Sequence, residues 1–252
     1  MRFLMRQRSL YRALRYLSCL LFICLGSCSS SSRVYTIGID PSWFPLDFMN
    51  KEPYVFAFTV ELLEKIAHEK RCHFERLTVN WDDLLSSLQT HKCQGICSSL
   101  EPQVFNLEKY SFSHNFLDTG PVLVALSNAS DMGMFYEKEI GVLSQSDEQL
   151  LMQKYPGAVL RLYDSLPKAF IDLLAGNIDA VAVEYLQGFT YINDLYSGQC
   201  KIVTPPLNQS GLKLVCLAKE QSELIKLFNE GIKELKKNGT YEELLKKWKL
   251  GN

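Results

Sequence analysis

The chain has 252 residues, of which 27 are basic and 28 acidic, and 47% of its residues are hydrophobic. Five of its basic residues fall within the first fifteen positions and the remainder is net acidic, which argues against the cationic face that a nucleic-acid partner calls for. After the first residues no apolar stretch is long enough to span a bilayer, and about 220 residues suit one large domain or two lobes.

Arg2, Arg6, Arg8, Arg12 and Arg15 form a basic start, and no acidic residue precedes Asp40. The apolar run Tyr16 to Leu25 has the length of a signal-peptide core and falls short of the ~20 residues of a membrane-spanning helix. It ends in Leu25-Gly26-Ser27-Cys28, which resembles a bacterial lipobox, where small residues fit the narrow pockets of the signal peptidase. Residues 1–27 are therefore expected to be a lipoprotein signal peptide, with Cys28 lipidated and 28–32 serving as a flexible serine tether. An ordinary signal peptide that ends near a cysteine is the plainer alternative. Losing the five arginines leaves 22 basic against 28 acidic residues, a net charge of −6. The expectation is a soluble, monomeric domain on the periplasmic or cell-surface side, held to a bacterial membrane only by its lipid.

Downstream, strand-like and helix-like segments alternate. Val34 to Ile39 reads as a strand, Thr59 to Glu69 as an amphipathic helix, and Glu75 to Val79 as a strand. A helix opens at Asp82, its acidic first turn suiting the helix dipole, and Val122 to Leu126 is a strand leaving a first lobe. The pattern then restarts with a strand at Glu139 to Leu143, a helix at Glu148 to Lys154 and a strand at Val159 to Tyr163. A helix follows at Leu166 to Ala175, capped from Asp164 or Ser165. Ile178 to Val183 is nearly all apolar, as in a strand buried on both faces. Gly211 to Ala218 is a last strand, and Glu223 to Trp248 is two helices broken at Asn238-Gly239, with Thr240 as N-cap. Two runs of β-α alternation imply two open, mainly parallel sheets with a cleft at their strand ends.

Cys72, Cys93, Cys97, Cys200 and Cys216 remain after the signal. A Cys93–Cys97 bridge is disfavoured because residues four apart on a strand lie ~13 Å apart. Neither His91 with Cys93 and Cys97, nor His68 with Cys72, has a four-ligand zinc spacing, so no metal and no cofactor is expected.

Six segments carry a resemblance. They are Ile37-Gly38-Ile39-Asp40-Pro41-Ser42-Trp43-Phe44-Pro45, Phe58-Thr59-Val60-Glu61-Leu62, and Trp81-Asp82-Asp83-Leu84-Leu85-Ser86-Ser87-Leu88-Gln89. Later come Leu162-Tyr163-Asp164-Ser165-Leu166, Leu173-Leu174-Ala175-Gly176-Asn177-Ile178-Asp179-Ala180-Val181, and Asn238-Gly239-Thr240-Tyr241-Glu242-Glu243. In this order the chain resembles solute-binding protein family 3, the periplasmic receptors of polar amino-acid ABC transporters. The resemblance implies an α/β fold of two lobes (type II periplasmic-binding-protein-like) joined by two crossover strands near 122–126 and 211–215. Lobe 1 would be 33–124 plus 214–252, and lobe 2 would be 125–213. It also implies a small amino-acid-like solute, a partner permease with its ATPase, and binding without chemistry.

An amino acid needs an acceptor for its ammonium, donors for its carboxylate, and walls that exclude water. Glu184, ending a buried strand, matches the family's acidic residue for the amine; a solvated strand-end Glu is the bland reading. Trp43 and Trp81, both at cleft-facing ends of their elements, match positions where the family places rings around a ligand; core aromatics are the plainer alternative. Asp40 would orient the loop or touch the amine. Ser144 and Ser146 would donate to a carboxylate, and Ser99, Thr119 and Gly120 match ligand-facing or hinge-proximal positions. The family's carboxylate-gripping Arg, and the Thr five residues before it, are replaced by Asn106 and Glu101. Glu101 with Glu184 would suit a cationic or amine-rich solute, so Glu101→Gln is expected to weaken binding. The rival readings are a sensor without transport, and a same-fold dehydratase using a cleft carboxylate as general acid.

Overall fold

The structure, a computed structural model, describes residues 33–129 and 135–251. The signal segment, Cys28 and the serine tether lie outside the described residues. Among the described residues no helix is long and apolar enough to cross a membrane.

Two sheets, each of five strands among the described residues, organise the chain. The first runs β2 (Cys72–Thr78), β1 (Arg33–Ile39), β3 (Gly95–Ser98), β10 (Gly211–Leu217), β4 (Tyr110–Asp118). The second runs β7 (Val159–Leu162), β6 (Glu139–Val142), β8 (Ala180–Glu184), β5 (Pro121–Leu126), β9 (Cys200–Ile202). β1 pairs parallel with β3, and β6 parallel with both β7 and β8. β10 is antiparallel to β3 and β4, and β5 is antiparallel to β8 and β9. The sheets are thus mixed rather than mainly parallel: parallel β-α units form one side of each, and strands that carry the chain between lobes form the other. The chain leaves the first sheet at Thr119–Gly120 and returns between Ile202 and Gly211. The segments 122–126 and 211–215, expected as crossings, are a strand of the second sheet and a strand of the first.

Each sheet buries a face under helices. On the first, α1 (Glu52–Lys70) inserts Phe58, Leu62, Leu63 and Ile66 beside Ile37, Ile39, Phe116 and Phe228, all at most 2% exposed. This helix starts seven residues before the expected Thr59, because Pro53 lies in its first turn, where a missing N–H costs nothing. On the opposite face α2 (Trp81–Gln89) adds Leu84 and Leu88 to Ile96 and Val215. In the second lobe α5 (Leu166–Ala175) packs Phe170 and Leu173 on Val122, Val124, Val181 and Val183. The helices between these are α3 (Val104–Leu107) and α4 (Gln145–Lys154), and α6 (Tyr185–Thr190) follows β8.

The chain closes with α7 (Ser222–Lys237) and α8 (Thr240–Lys247) on the first lobe. The break falls at Asn238-Gly239, as expected, but Thr240 is the first helical residue rather than the cap. Gly239 occupies the capping position at φ 83°, a left-handed conformation that glycine adopts without a Cβ penalty.

Candidate functional site

The two passages between the sheets lie against each other. The backbone N–H groups of Thr119 and Gly120 both donate to the Ser210 carbonyl, at 3.1 and 3.2 Å. Asn115 Nδ2 adds a bond to Asp118 Oδ1 at 2.7 Å and one to the Gln209 carbonyl at 3.2 Å. A Cβ at Gly120 would overlap the Asn208 side-chain amide, so any larger residue there would have to displace Asn208 from between the two strands.

Beside these passages opens a cleft of about 430 Å³. Ser99, Glu101 and the loop Pro45 to Phe48 line it from the first lobe, Glu184, Leu186 and Gln187 from the second, and Thr119 and Ser210 from the crossings. Four residues singled out in the sequence therefore share one cavity: Ser99, Glu101, Thr119 and Glu184. A larger cavity of about 710 Å³ lies between α1 and the β2 strand and includes none of them.

Glu184 ends β8, opposite Pro121, and the next residue donates its N–H to the Thr119 carbonyl at 3.3 Å. Its side chain is exposed, but it stands in the cleft, where protein replaces much of the surrounding water. That desolvation, with the nearby negative charge of Asp147, pushes its carboxyl up to about 7. Across the cavity, Glu101 is half-buried and faces Lys213, with Oε1 3.5 Å from Nζ.

The other candidates do not line this cavity. Asp40 is buried and accepts from the Ser42 N–H at 3.0 Å and the Ser42 hydroxyl at 2.7 Å, which fixes the loop leaving β1. Trp43 follows in a left-handed conformation (φ 57°), 4% exposed, its indole in the first-lobe core with Phe48. Trp81 opens α2, half-buried on the opposite face of the sheet, and meets Phe44 edge-on with centroids 5.8 Å apart. No ring contact joins the two indoles. Asn106 is buried and donates from Nδ2 to the Glu101 carbonyl at 2.8 Å. Ser144 caps α4, accepting from the Asp147 N–H at 3.1 Å and bonding Asp147 Oδ2 at 2.6 Å, and Ser146 lies 2.8 Å from the Ser144 hydroxyl.

Sequence reasoning passed over Ser210, Gln187, the Pro45 to Phe48 loop and Lys213. Ser210 and Gln187 carry no local signal, because they meet the cleft only through the crossing and the start of α6. Lys213 did carry one: a single cation inside the apolar run Gly-Leu-Lys-Leu-Val-Cys-Leu.

Two α/β lobes, two crossings and a cleft at the strand ends define a protein of the type II periplasmic-binding class. The chain belongs to the bacterial extracellular solute-binding proteins, family 3, whose profile matches residues 35–252. That family consists of solute-binding receptors. The chain is 26% identical over 217 residues to the L-cystine-binding protein TcyJ of Escherichia coli strain K12, covering 84% of this chain and 81% of the relative. It is also 26% identical over 226 residues to the histidine-binding periplasmic protein of the same strain, covering 84% and 86%. Among solved structures it is similar to the L-cystine solute receptor of Neisseria gonorrhoeae in its unliganded open conformation. That match has a TM-score of 0.66 and 21% identity, and covers 88% of this chain and 94% of the receptor. A second substrate-binding domain of a putative amino acid ABC transporter from Streptococcus pneumoniae matches with a TM-score of 0.62 and 22% identity, covering 85% and 99%.

Proposed function

We propose that this protein is the extracytoplasmic receptor of an ABC importer, capturing a polar or basic amino acid, or an amino-acid-like amine, between two closing lobes. One observation carries the reading: a carboxyl pushed up to about 7 stands in a cleft lined by both lobes and both crossings. A desolvated carboxylate is poorly compensated when the cleft is empty and gains most from a bound ammonium. Ser99, Thr119 and Ser210 offer short polar contacts around it. Asp40, Trp43 and Asn106 hold the first-lobe wall from behind, and Ser144 and Ser146 fix the helix that brings the Asp147 charge near Glu184.

In this reading the solute bridges the lobes, and its stronger contact with the closed form shifts the equilibrium toward closure. A permease and its ATPase would then receive the closed form. Lipidation at Cys28 would keep the receptor, a monomer, at the membrane surface beside them. The supports are the family, the basic start and the Leu25-Gly26-Ser27-Cys28 segment. The proposed lobes follow the sheets, with the hinge in the tied strands at Thr119–Gly120 and 203–210.

The test is a thermal-shift screen of the purified protein against amino acids, their amine derivatives and polyamines. A ligand at a hundred times its dissociation constant adds ~2.7 kcal/mol of stability and raises the melting temperature visibly. A screen in which no such compound raises it would sink the receptor reading. A second reading has one specific support: a carboxyl near 7 is also what a general acid needs. Product formation from a cyclic amino-acid precursor, rather than simple binding, would favour that same-fold dehydratase.

A further inference from the structure

Lys213 is the most deeply placed cation near the cleft, 4% exposed on β10, a strand buried from Gly211 through Cys216. It pairs with Ser98 of β3 on one side and Asn115 of β4 on the other, and the register with β4 shifts on both sides of it. Such irregularities re-aim a side chain locally. A buried ammonium is costly unless acceptors surround it, and it has three N–H groups to place. The structure supplies two acceptors, the Gly211 carbonyl at 3.0 Å and Glu101 Oε1 at 3.5 Å. The Glu101 contact is long for a charge-assisted bond, which runs ~2.7–2.9 Å. Desolvation draws the lysine below its usual range, while Glu101 and Asp118 pull the other way, so the protein's own anions do not fully offset its burial.

Glu101 itself lines the cleft with Ser99, Thr119 and Ser210. Lys213 does not line the cavity itself but meets it through Glu101, whose half-exposed carboxylate stands between the two. Asn106 brings no charge and is committed to the Glu101 backbone. We propose that Lys213 is the cation that receives the solute's carboxylate, with Glu101 holding its place in the empty cleft, so that the solute is a zwitterionic amino acid. The ammonium goes to Glu184 on the other lobe, and one molecule spans both. This rests on the receptor reading above and narrows its solute class. It also reverses the sign expected of Glu101: as a competitor for Lys213 rather than a receptor for an amine, its loss favours the ligand.

The experiment compares L-histidine, L-arginine and L-cystine with their own carboxamides by calorimetry on the purified protein. The expected result is that the amino acid which binds does so at least about 100-fold more tightly than its amide, as for loss of one member of a buried charge pair. Lys213→Met should collapse that ratio to below about 5-fold, with a cooperative melting transition confirming the fold. Glu101→Gln, isosteric and half-exposed, should keep the ratio at or above the wild-type value. An amide that binds wild-type protein as well as the acid, or a ratio unchanged in Lys213→Met, overturns the proposal and leaves the receptor reading standing. If Lys213→Met does not fold, Glu101→Gln decides, and a ratio falling toward one rejects the assignment. If no amino acid binds at all, the receptor reading has failed and this inference falls with it.

Discussion

Glu184 stands where a pure strand sequence meets the cavity, and its chemistry is set by its surroundings rather than by its own type. With its pKa about 7 against an ordinary 4.5, the folded, empty protein holds an extra proton between those values. This group therefore favours folding at low pH, and that contribution is lost as pH rises through about 7. The empty protein is expected to melt at a lower temperature at pH 8 than Glu184→Gln does, as scanning calorimetry on the two would show. An ammonium ligand needs the ionised form, so its affinity is expected to fall by up to about tenfold per pH unit below 7. Titration calorimetry at pH 5.5 and 8 checks this, and a flat profile would remove Glu184 from the site.

At the scale of elements, the end of the chain is fastened by a few specific contacts. Tyr241 of α8 donates its hydroxyl to the Phe116 carbonyl at 2.8 Å and meets Phe58 edge-on at 5.9 Å. Tyr241→Phe leaves that buried carbonyl without its donor and is expected to cost about 1–2 kcal/mol. In a domain of this size that lowers the melting temperature by about 2–8 °C, with ligand affinity unchanged. The thiols are spread over both sheets, with Cys72 on β2, Cys93 and Cys97 at β3 and Cys216 on β10 of the first, and Cys200 on β9 of the second. Cys93, Cys97, Cys200 and Cys216 are buried and Cys72 is half-buried, all as free cysteines. Burial pushes Cys216 up to about 12, and Cys97 higher still through burial with Cys216 and Cys93 beside it. Iodoacetamide at pH 8 should therefore label Cys72 first and reach Cys97 and Cys216 only on unfolding, as mass spectrometry would resolve.

Across the whole molecule, contacts between lobes outside the crossings are both apolar and polar: Leu186 of α6 is buried in the first-lobe core, and Met49 packs against the second-lobe core. Lys51 at the start of α1 lies 3.5 Å from Asp194 and 5.9 Å from the Phe189 ring, and Gln187 Nε2 reaches the Asp47 carbonyl at 3.4 Å. Lys51 is buried while Asp194 is exposed, so a bridging solute must rearrange these few contacts as it shifts the lobes. Small-angle scattering is expected to show a smaller radius of gyration on adding a ligand from the screen. No change with a bound ligand would argue against closure.

The alternation of elements is legible in the chain itself, because apolar period and turn residues are local. Leu166 to Ala175 is readable to the residue, and so is the break at Asn238-Gly239. Glu184 at the end of a buried strand is equally plain, and the order of six short segments carries the family. Which residues meet is a matter of tertiary structure. β4 and β9 are invisible beforehand, since their stability comes from neighbours in the sheet rather than from an alternating pattern of their own. Trp43 and Trp81, similar as loop-edge aromatics, face opposite sides of one sheet. Lys213 and Glu101, 112 positions apart by residue number, become an ion pair only because β10 crosses back to lie beside β3. Local propensity depends on near neighbours along the chain, whereas a binding site depends on distances between strands far apart in it, and folding sets those.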